Sequence, residues 1–76
     1  MKGDVINLIK ILGVSFTELV IDIELSEFTI NSVELVDDDV IVHIFMQEMD
    51  LQILFDDLLE VDQKTILKDL SVLAYN

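Results

Sequence analysis

The spacing of hydrophobic residues changes along the chain, from a helical period at both ends to alternation in the middle. Near the start, the hydrophobic run Val5–Leu12 predicts a short helix, with Asp4 as its N-terminal cap. Gly13 is expected to end this helix in a left-handed conformation. Only Asn7 and Lys10 are polar within it, so its apolar surface is wider than one stripe and is either packed on two sides or used for binding.

The last third of the chain predicts a second helix. Asp57 and Glu60 have the spacing of a capping box, and a slightly later start near Val61 is the alternative. Glu60 and Lys64 are four residues apart in the favourable orientation for an ion pair. The predicted buried face consists of Ile66, Leu67, Leu70 and Leu73.

Between the helices, residues 19–25, 28–35, 40–46 and 49–55 have the alternating or continuous apolar pattern of strands. A change of parity near Asn31–Ser32 predicts a bulge or break within the second segment. Asp37–Asp39 reads as the connection of a hairpin, and the segment after it is apolar on both faces, which is typical of a strand inside a sheet. Residues 16–23 could alternatively be helical.

These elements predict an α+β fold with an N-terminal helix, a three- or four-stranded antiparallel β-meander and a C-terminal helix. The chain has no proline and only two glycines, so no linker is expected, and residues 1–76 are interpreted as a single compact acidic domain.

Composition adds an expectation about assembly. The chain is 53% hydrophobic and has no cysteine, so apolar burial rather than disulfides must stabilise it. A domain of this size has too little interior for so much apolar surface, which predicts a homo-oligomer or a permanent partner. The expected interface lies on the first helix and consists of Val5, Leu8, Ile9 and Leu12. No run approaches the roughly 20 apolar residues of a membrane span, so we expect a cytoplasmic protein without membrane contact.

Charge limits the function further. The formal net charge is −12, and the four lysines, with no arginine, all lie outside residues 11–63, whereas every acidic residue except Asp4 and Asp69 lies within them. Such a surface repels phosphates, which excludes direct nucleic-acid binding and favours a basic protein surface as the partner.

The sequence gives little support for a catalytic or metal site. Asp37–Asp39 could bind a cation, but the alternate ligand spacing and the glycine of a calcium loop are missing, so a solvated hairpin tip is favoured. His43, the only histidine, shares a predicted strand face with Ile41 and is interpreted as a packed strand residue rather than a catalytic base. No nucleophile, phosphate-loop or dinucleotide motif is present, and the sequence predicts no enzyme, metal or cofactor.

Two functional hypotheses follow. The first is a non-enzymatic acidic protein-binding module. It would act as a nucleic-acid mimic or as an inhibitor of a nuclease or other basic nucleic-acid-binding protein. The second is a self-associating structural or adaptor protein. The carboxylates expected to contact a partner in the first case are Glu18, Asp22, Glu24, Glu34, Asp37, Asp38, Asp39, Glu48 and Asp50.

Small acidic nuclease-immunity proteins and phage-encoded DNA mimics resemble this chain in charge and size, without a common motif. The acyl and peptidyl carrier proteins also resemble it in size and charge, and Asn31–Leu35 is similar to their Asp-Ser-Leu attachment site. In this sequence Asn31 stands in place of the aspartate, Val33 stands in place of the leucine, and the following segment is strand-like. The chain is therefore assigned to no family.

Overall fold

The computed structural model describes residues 1–13, 18–46 and 48–76, and it confirms the predicted α+β fold. An N-terminal helix precedes four antiparallel strands of one sheet, and a short 3-10 helix leads into the C-terminal helix. The elements are α1 (Lys2–Leu12), β1 (Glu18–Glu24), β2 (Thr29–Val36), β3 (Asp39–Met46), β4 (Met49–Leu54), the 3-10 helix (Phe55–Asp57) and α2 (Glu60–Tyr75).

The strands follow one another across the sheet in the order β1-β2-β3-β4. β2 and β3 are therefore interior strands, and β1 and β4 form the edges. The interior position of β3 confirms the prediction drawn from its continuous apolar sequence. The β2–β3 hairpin turns at Asp37–Asp38, where Asp37 has a positive φ of 54°, a conformation that aspartate tolerates better than most residues.

An irregularity in β2 confirms the predicted break. Ile30 pairs with Ile44 of β3, but the next pair joins Ser32 to His43, so β2 advances two residues while β3 advances one. The extra residue changes the parity of the strand. As a result Ile30 and Val33 both face the core, and Ser32 faces away from it.

The core lies between one face of the sheet and the two helices. Its centre includes side chains that are fully covered, and each contributes about 1.5–3 kcal/mol relative to an exposed position. Phe55 of the 3-10 helix has no exposed surface and closes the end of the core beside β3. The buried apolar residues are Val5, Leu8, Ile9, Ile23, Leu25, Ile30, Val33, Val40, Val42, Ile44, Phe55, Leu58, Ile66 and Leu70.

This core corrects the predicted oligomer interface. Val5, Leu8 and Ile9 are at most 4% exposed because they pack within the same chain, and α1 contacts α2 and β3. They are not available to a second copy, and Leu12 is half-buried against the same core. The wide apolar surface of α1 is thus explained by packing on two sides, with Ile11 as its exposed apolar residue.

The helix ends differ from the predictions in detail. α1 begins at Lys2, one turn before the predicted start, so Asp4 lies in its first turn instead of capping it. Gly13 has φ −112° rather than a left-handed conformation, and its N–H donates to the Ile9 carbonyl oxygen at 2.6 Å, which continues the helical hydrogen bonding. α2 begins at Glu60 without a side-chain cap, which supports the later of the two predicted starts.

The predicted pattern of α2 is also corrected at one position. Ile66 and Leu70 are buried and Leu67 is half-buried, but Leu73 is 52% exposed, and Ala74 packs against the core in the last turn instead. The predicted ion pair is present, with 3.3 Å between Lys64 Nζ and Glu60 Oε1.

A buried carboxylate, which the sequence did not single out as structural, joins α2 to the β1–β2 connection. Asp62 is 3% exposed and accepts hydrogen bonds from the Ser26 backbone N–H at 3.0 Å and from the Ser26 hydroxyl at 2.9 Å. Its position in the first turn of α2 also places its negative charge favourably relative to the helix dipole. Asp62 is therefore a structural residue of the fold.

Near the N-terminus, Lys2 connects α1 to β3 and to the 3-10 helix. Its Nζ lies 3.2 Å from Asp39 Oδ1 at the start of β3 and 3.3 Å from Asp56 Oδ2 in the 3-10 helix. The hydrogen bonds to Asp39 and Asp56 raise the pKa of Lys2 above its ordinary value of 10.5. A raised pKa means that the folded state holds this proton more tightly than the unfolded state does.

We expect a Lys2→Gln variant to unfold at lower urea concentration than the parent at pH 8, where Lys2 is charged in both states. The difference should disappear as the pH rises through the raised pKa of Lys2, because the stabilisation exists only while the amine is protonated. Urea unfolding across alkaline pH measures this, with Lys10→Gln as the matched control on the same helix. A Lys2→Gln defect that persisted unchanged after deprotonation would contradict an electrostatic origin.

Candidate functional site

The sheet has one face that the helices do not cover, here called the outer face. Strand register shows which residues share it, because directly paired residues point to the same side of a sheet. Val33 and Val42 are paired and buried in the core, so the neighbouring pair Ser32 and His43 must point to the outer face. The same register places Glu18, Val20, Glu24, Thr29, Ser32, Glu34, Ile41, His43, Asp50, Gln52 and Leu54 on the outer face.

His43 is the centre of a cluster of carboxylates contributed by three different strands. Its Nε2 lies 3.0 Å from Glu34 Oε1, a hydrogen bond, and 3.7 Å from Glu18 Oε2. Its other ring nitrogen, Nδ1, lies 3.7 Å from Asp50 Oδ1. We call Glu18, Glu34, His43 and Asp50 the His43 cluster.

Burial differs strongly within the His43 cluster. The imidazole side chain is 10% exposed because its strand is interior, whereas the side chains of Glu18 and Asp50 on the edge strands are 49% and 61% exposed. Glu34, on interior strand β2, is 30% exposed. The histidine is thus held in a fixed position by its surroundings, and the edge carboxylates can adjust around it.

The cluster contains an unfavourable electrostatic contact. Glu18 and Glu34 are directly paired across β1 and β2, and like charges in such positions repel. His43 is the neighbouring group that can offset this repulsion when it is protonated. A cavity of about 390 Å³ opens beside the His43 cluster and is lined by residues of all four strands, Glu18, Val20, Asn31, Ser32, His43 and Asp50.

The lysine ion pairs in the described part of the chain lie elsewhere. Lys2 pairs with Asp39 and Asp56, and Lys64 pairs with Glu60. No lysine–carboxylate pair among the described residues involves a member of the His43 cluster. The outer face therefore keeps most of its negative charge.

The structure brings together only some of the predicted partner-binding residues. Glu18, Glu34 and Asp50 meet around His43, and Glu24 lies on the same face, opposite Thr29. The remaining acidic positions are distributed around the molecule. Asp22 lines a groove with α2, Asp37 and Asp38 form the β2–β3 turn, Asp39 is paired with Lys2, and Glu48 lies in the β3–β4 turn with φ 68°.

His43 is the member that sequence reasoning did not connect to these carboxylates. Its interpretation as a packed strand residue is consistent with its burial, but its contacts are with acidic groups on both sides. Both ring nitrogens face carboxylates, an arrangement that suits a counter-ion or a ligand better than a base acting on a nucleophile. Ser32 and Glu34 are two residues apart and therefore lie on the same face of β2. This spacing could point to His43 only once the pairing of β2 with β3 was known.

No protein-family model, curated protein or solved structure matches this chain. The segment that is similar to the carrier-protein attachment site lies within β2, and its Ser32 is 7% exposed in the middle of a sheet instead of opening a helix. Among the described residues, no helix has the length and apolar character needed to cross a membrane.

We expect His43 and Glu34 to be energetically coupled by about 1.5 kcal/mol, the lower end of the range for a hydrogen bond that involves a charged group, because Glu34 is 30% exposed. A double-mutant cycle of His43→Gln and Glu34→Gln, followed by urea unfolding at low salt, measures this coupling. Glu24→Gln provides the matched control because Glu24 shares the outer face but pairs with Thr29. Equal coupling of His43 to Glu24 and to Glu34 would show that only the general field of the face is involved.

Proposed function

We propose that this chain is a non-enzymatic acidic module that binds a basic protein surface, of the kind that otherwise holds nucleic acid. The observation that carries the proposal is the outer face of the sheet. It presents Glu18, Glu24, Glu34 and Asp50 on a rigid support, and no lysine–carboxylate pair among the described residues involves any of these four.

The spacing of these carboxylates supports the proposal. Neighbouring strands are about 4.8 Å apart, and residues on the same face of a strand are about 7 Å apart. The sheet thus fixes negative charges at intervals of several ångströms, as a phosphate backbone does. A cationic groove that binds phosphates can accept such an array without any conformational ordering of the acidic partner.

The electrostatics also indicate how the partner would be recognised. The net charge of −12 provides long-range attraction, and the outer face provides the local pattern. Association of this type is fast and weakens as salt is added, because screening acts first on exposed charges. The β2–β3 turn adds Asp37 and Asp38 at one end of the sheet, where a groove could contact them together with Glu34.

We expect the untagged, immobilised chain to retain a basic nucleic-acid-binding protein from host lysate at low salt and to release it at moderate salt. Duplex DNA should compete with the chain for the purified partner, since both would occupy the same groove. The triple variant Glu18→Gln, Glu34→Gln and Asp50→Asn should lose retention because it removes three of the four outer-face carboxylates on which the proposal rests.

The matched control is Asp57→Asn with Glu60→Gln, which removes two exposed charges near the start of α2 and away from the outer face. It should retain the partner, and circular dichroism should show that both variants are folded. Retention of the same protein by the triple variant, or binding that DNA does not displace, would refute the proposal.

Exposed apolar residues on edge strand β4 support a second candidate, self-association. β4 pairs with β3 on one side only, and its Met49, Leu51 and Leu54 are 59%, 37% and 45% exposed. An edge strand with this composition can pair with another strand or pack against another copy. This interface would replace the predicted one on α1, whose residues are buried.

If β4 mediates self-association, Leu51→Lys should reduce the mass measured by analytical ultracentrifugation to that of one chain. Ile11→Lys, which changes an exposed apolar residue of α1, should leave the mass unchanged. A parent protein that is monomeric at high micromolar concentration would exclude this candidate.

A further inference from the structure

The side chains of Glu18, Glu34 and His43 converge from three adjacent strands at the centre of the outer face. One ligand atom from each, a carboxylate oxygen or an imidazole nitrogen, lies within 4.8 Å of the others. We propose that these three residues bind a first-row divalent transition metal, for which Zn²⁺ is the probe. This goes beyond the proposed partner binding and does not depend on it.

The two histidine–carboxylate distances fit shared coordination. Zinc lies about 2.0–2.2 Å from nitrogen and oxygen ligands, so two ligands of one ion are about 3.4 Å apart in tetrahedral geometry and at most about 4.2 Å apart. The separations of His43 Nε2 from Glu34 Oε1 and Glu18 Oε2, 3.0 and 3.7 Å, lie on either side of the tetrahedral value. The Glu18 side chain is 49% exposed, so its carboxylate has room to move toward a shared ion.

The donor set indicates the class of metal. An imidazole nitrogen with two carboxylate oxygens suits zinc and its first-row neighbours, whereas calcium and magnesium favour all-oxygen sites. Three protein ligands leave coordination positions for water, and the cavity beside His43 provides room for it. The site is therefore of the open kind, in which an exchangeable ligand completes the coordination.

Asp50 supports the site from the opposite side of the ring. Metal-binding histidines commonly donate their second ring N–H to a carboxylate, which fixes the tautomer and the ring orientation. Asp50 Oδ1 is 3.7 Å from Nδ1, and its exposed side chain can move the short distance needed for a hydrogen bond. With the proton on Nδ1, Nε2 presents its lone pair to the pair of glutamates.

Electrostatics provide an independent reason for a cation at this position. Glu18 and Glu34 are directly opposed, Asp50 adds a third negative charge, and the histidine offers at most one positive charge. A divalent ion would replace the Nε2 proton and offset the repulsion more completely. Metal and proton then compete for Nε2, which is faced by Glu18 of β1 and Glu34 of β2, while Asp50 of β4 faces Nδ1.

Isothermal titration calorimetry of the untagged chain with zinc chloride tests the proposal. We expect saturation at one zinc per chain, with magnesium and calcium showing no comparable binding. His43→Gln and Glu34→Gln should each weaken zinc binding by about tenfold or more. Asp37→Asn with Asp38→Asn, which removes two acids at the hairpin turn, should leave the affinity unchanged.

One further measurement separates a built site from diffuse attraction of cations to an acidic surface. Zinc affinity should fall as the pH is lowered, because protons compete with the metal for the imidazole nitrogen. Circular dichroism establishes that each variant is folded. If His43→Gln fails to fold, Glu34→Gln and Glu18→Gln provide the same test.

Equal zinc affinity in the parent and the folded His43→Gln or Glu34→Gln variant would overturn the proposal, as would the absence of saturable binding. Failure of the partner-binding proposal gives a different result, because it would leave zinc binding intact and abolish only the salt-sensitive retention of a basic protein. The two conclusions are therefore tested separately.

Discussion

The extra residue in β2 determines which side chains this molecule presents. Without it, the pairing that joins Ile30 to Ile44 would continue to join Ser32 to Val42 and Glu34 to Val40, and both polar side chains would point into the core. The irregularity reverses the parity, so Val33 joins the core and Glu34 lies beside His43. The core and the His43 cluster therefore depend on the same local feature of one strand.

The arrangement of the helices has an equally direct effect on function. α1 and α2 pack together and cover one face of the sheet, where the apolar core provides the main stabilisation of a chain without disulfides. The outer face is left to side chains from alternate strand positions, many of which are acidic. The same alternation that builds the core thus concentrates charge on the opposite face, and the two proposals for this surface use different properties of it. Partner binding needs the summed charge of the array, whereas metal binding needs the positions of three particular atoms.

Much of the fold could be predicted because its signals are local. The alternation in β1, the parity change near Asn31, the acidic turn at Asp37–Asp38 and the apolar character of β3 each indicated the element that the structure contains. The errors occurred where tertiary packing decides. Leu73 follows the helical pattern of α2 but is 52% exposed, and Val5, Leu8 and Ile9 are covered by elements far away in the sequence. The His43 cluster is of the same kind, because its members meet through strand register, which one strand alone does not reveal.

The order of the strands has a consequence for how the chain folds. Each strand pairs with the next one in sequence, so every hairpin closes a short loop and costs little conformational entropy. The contact that spans most of the chain is the packing of α1 against α2. We therefore expect a transition state in which the central β2–β3 hairpin is formed while α1 is still undocked. Mutations in that hairpin would then slow folding, and mutations on the buried side of α1 would mainly accelerate unfolding.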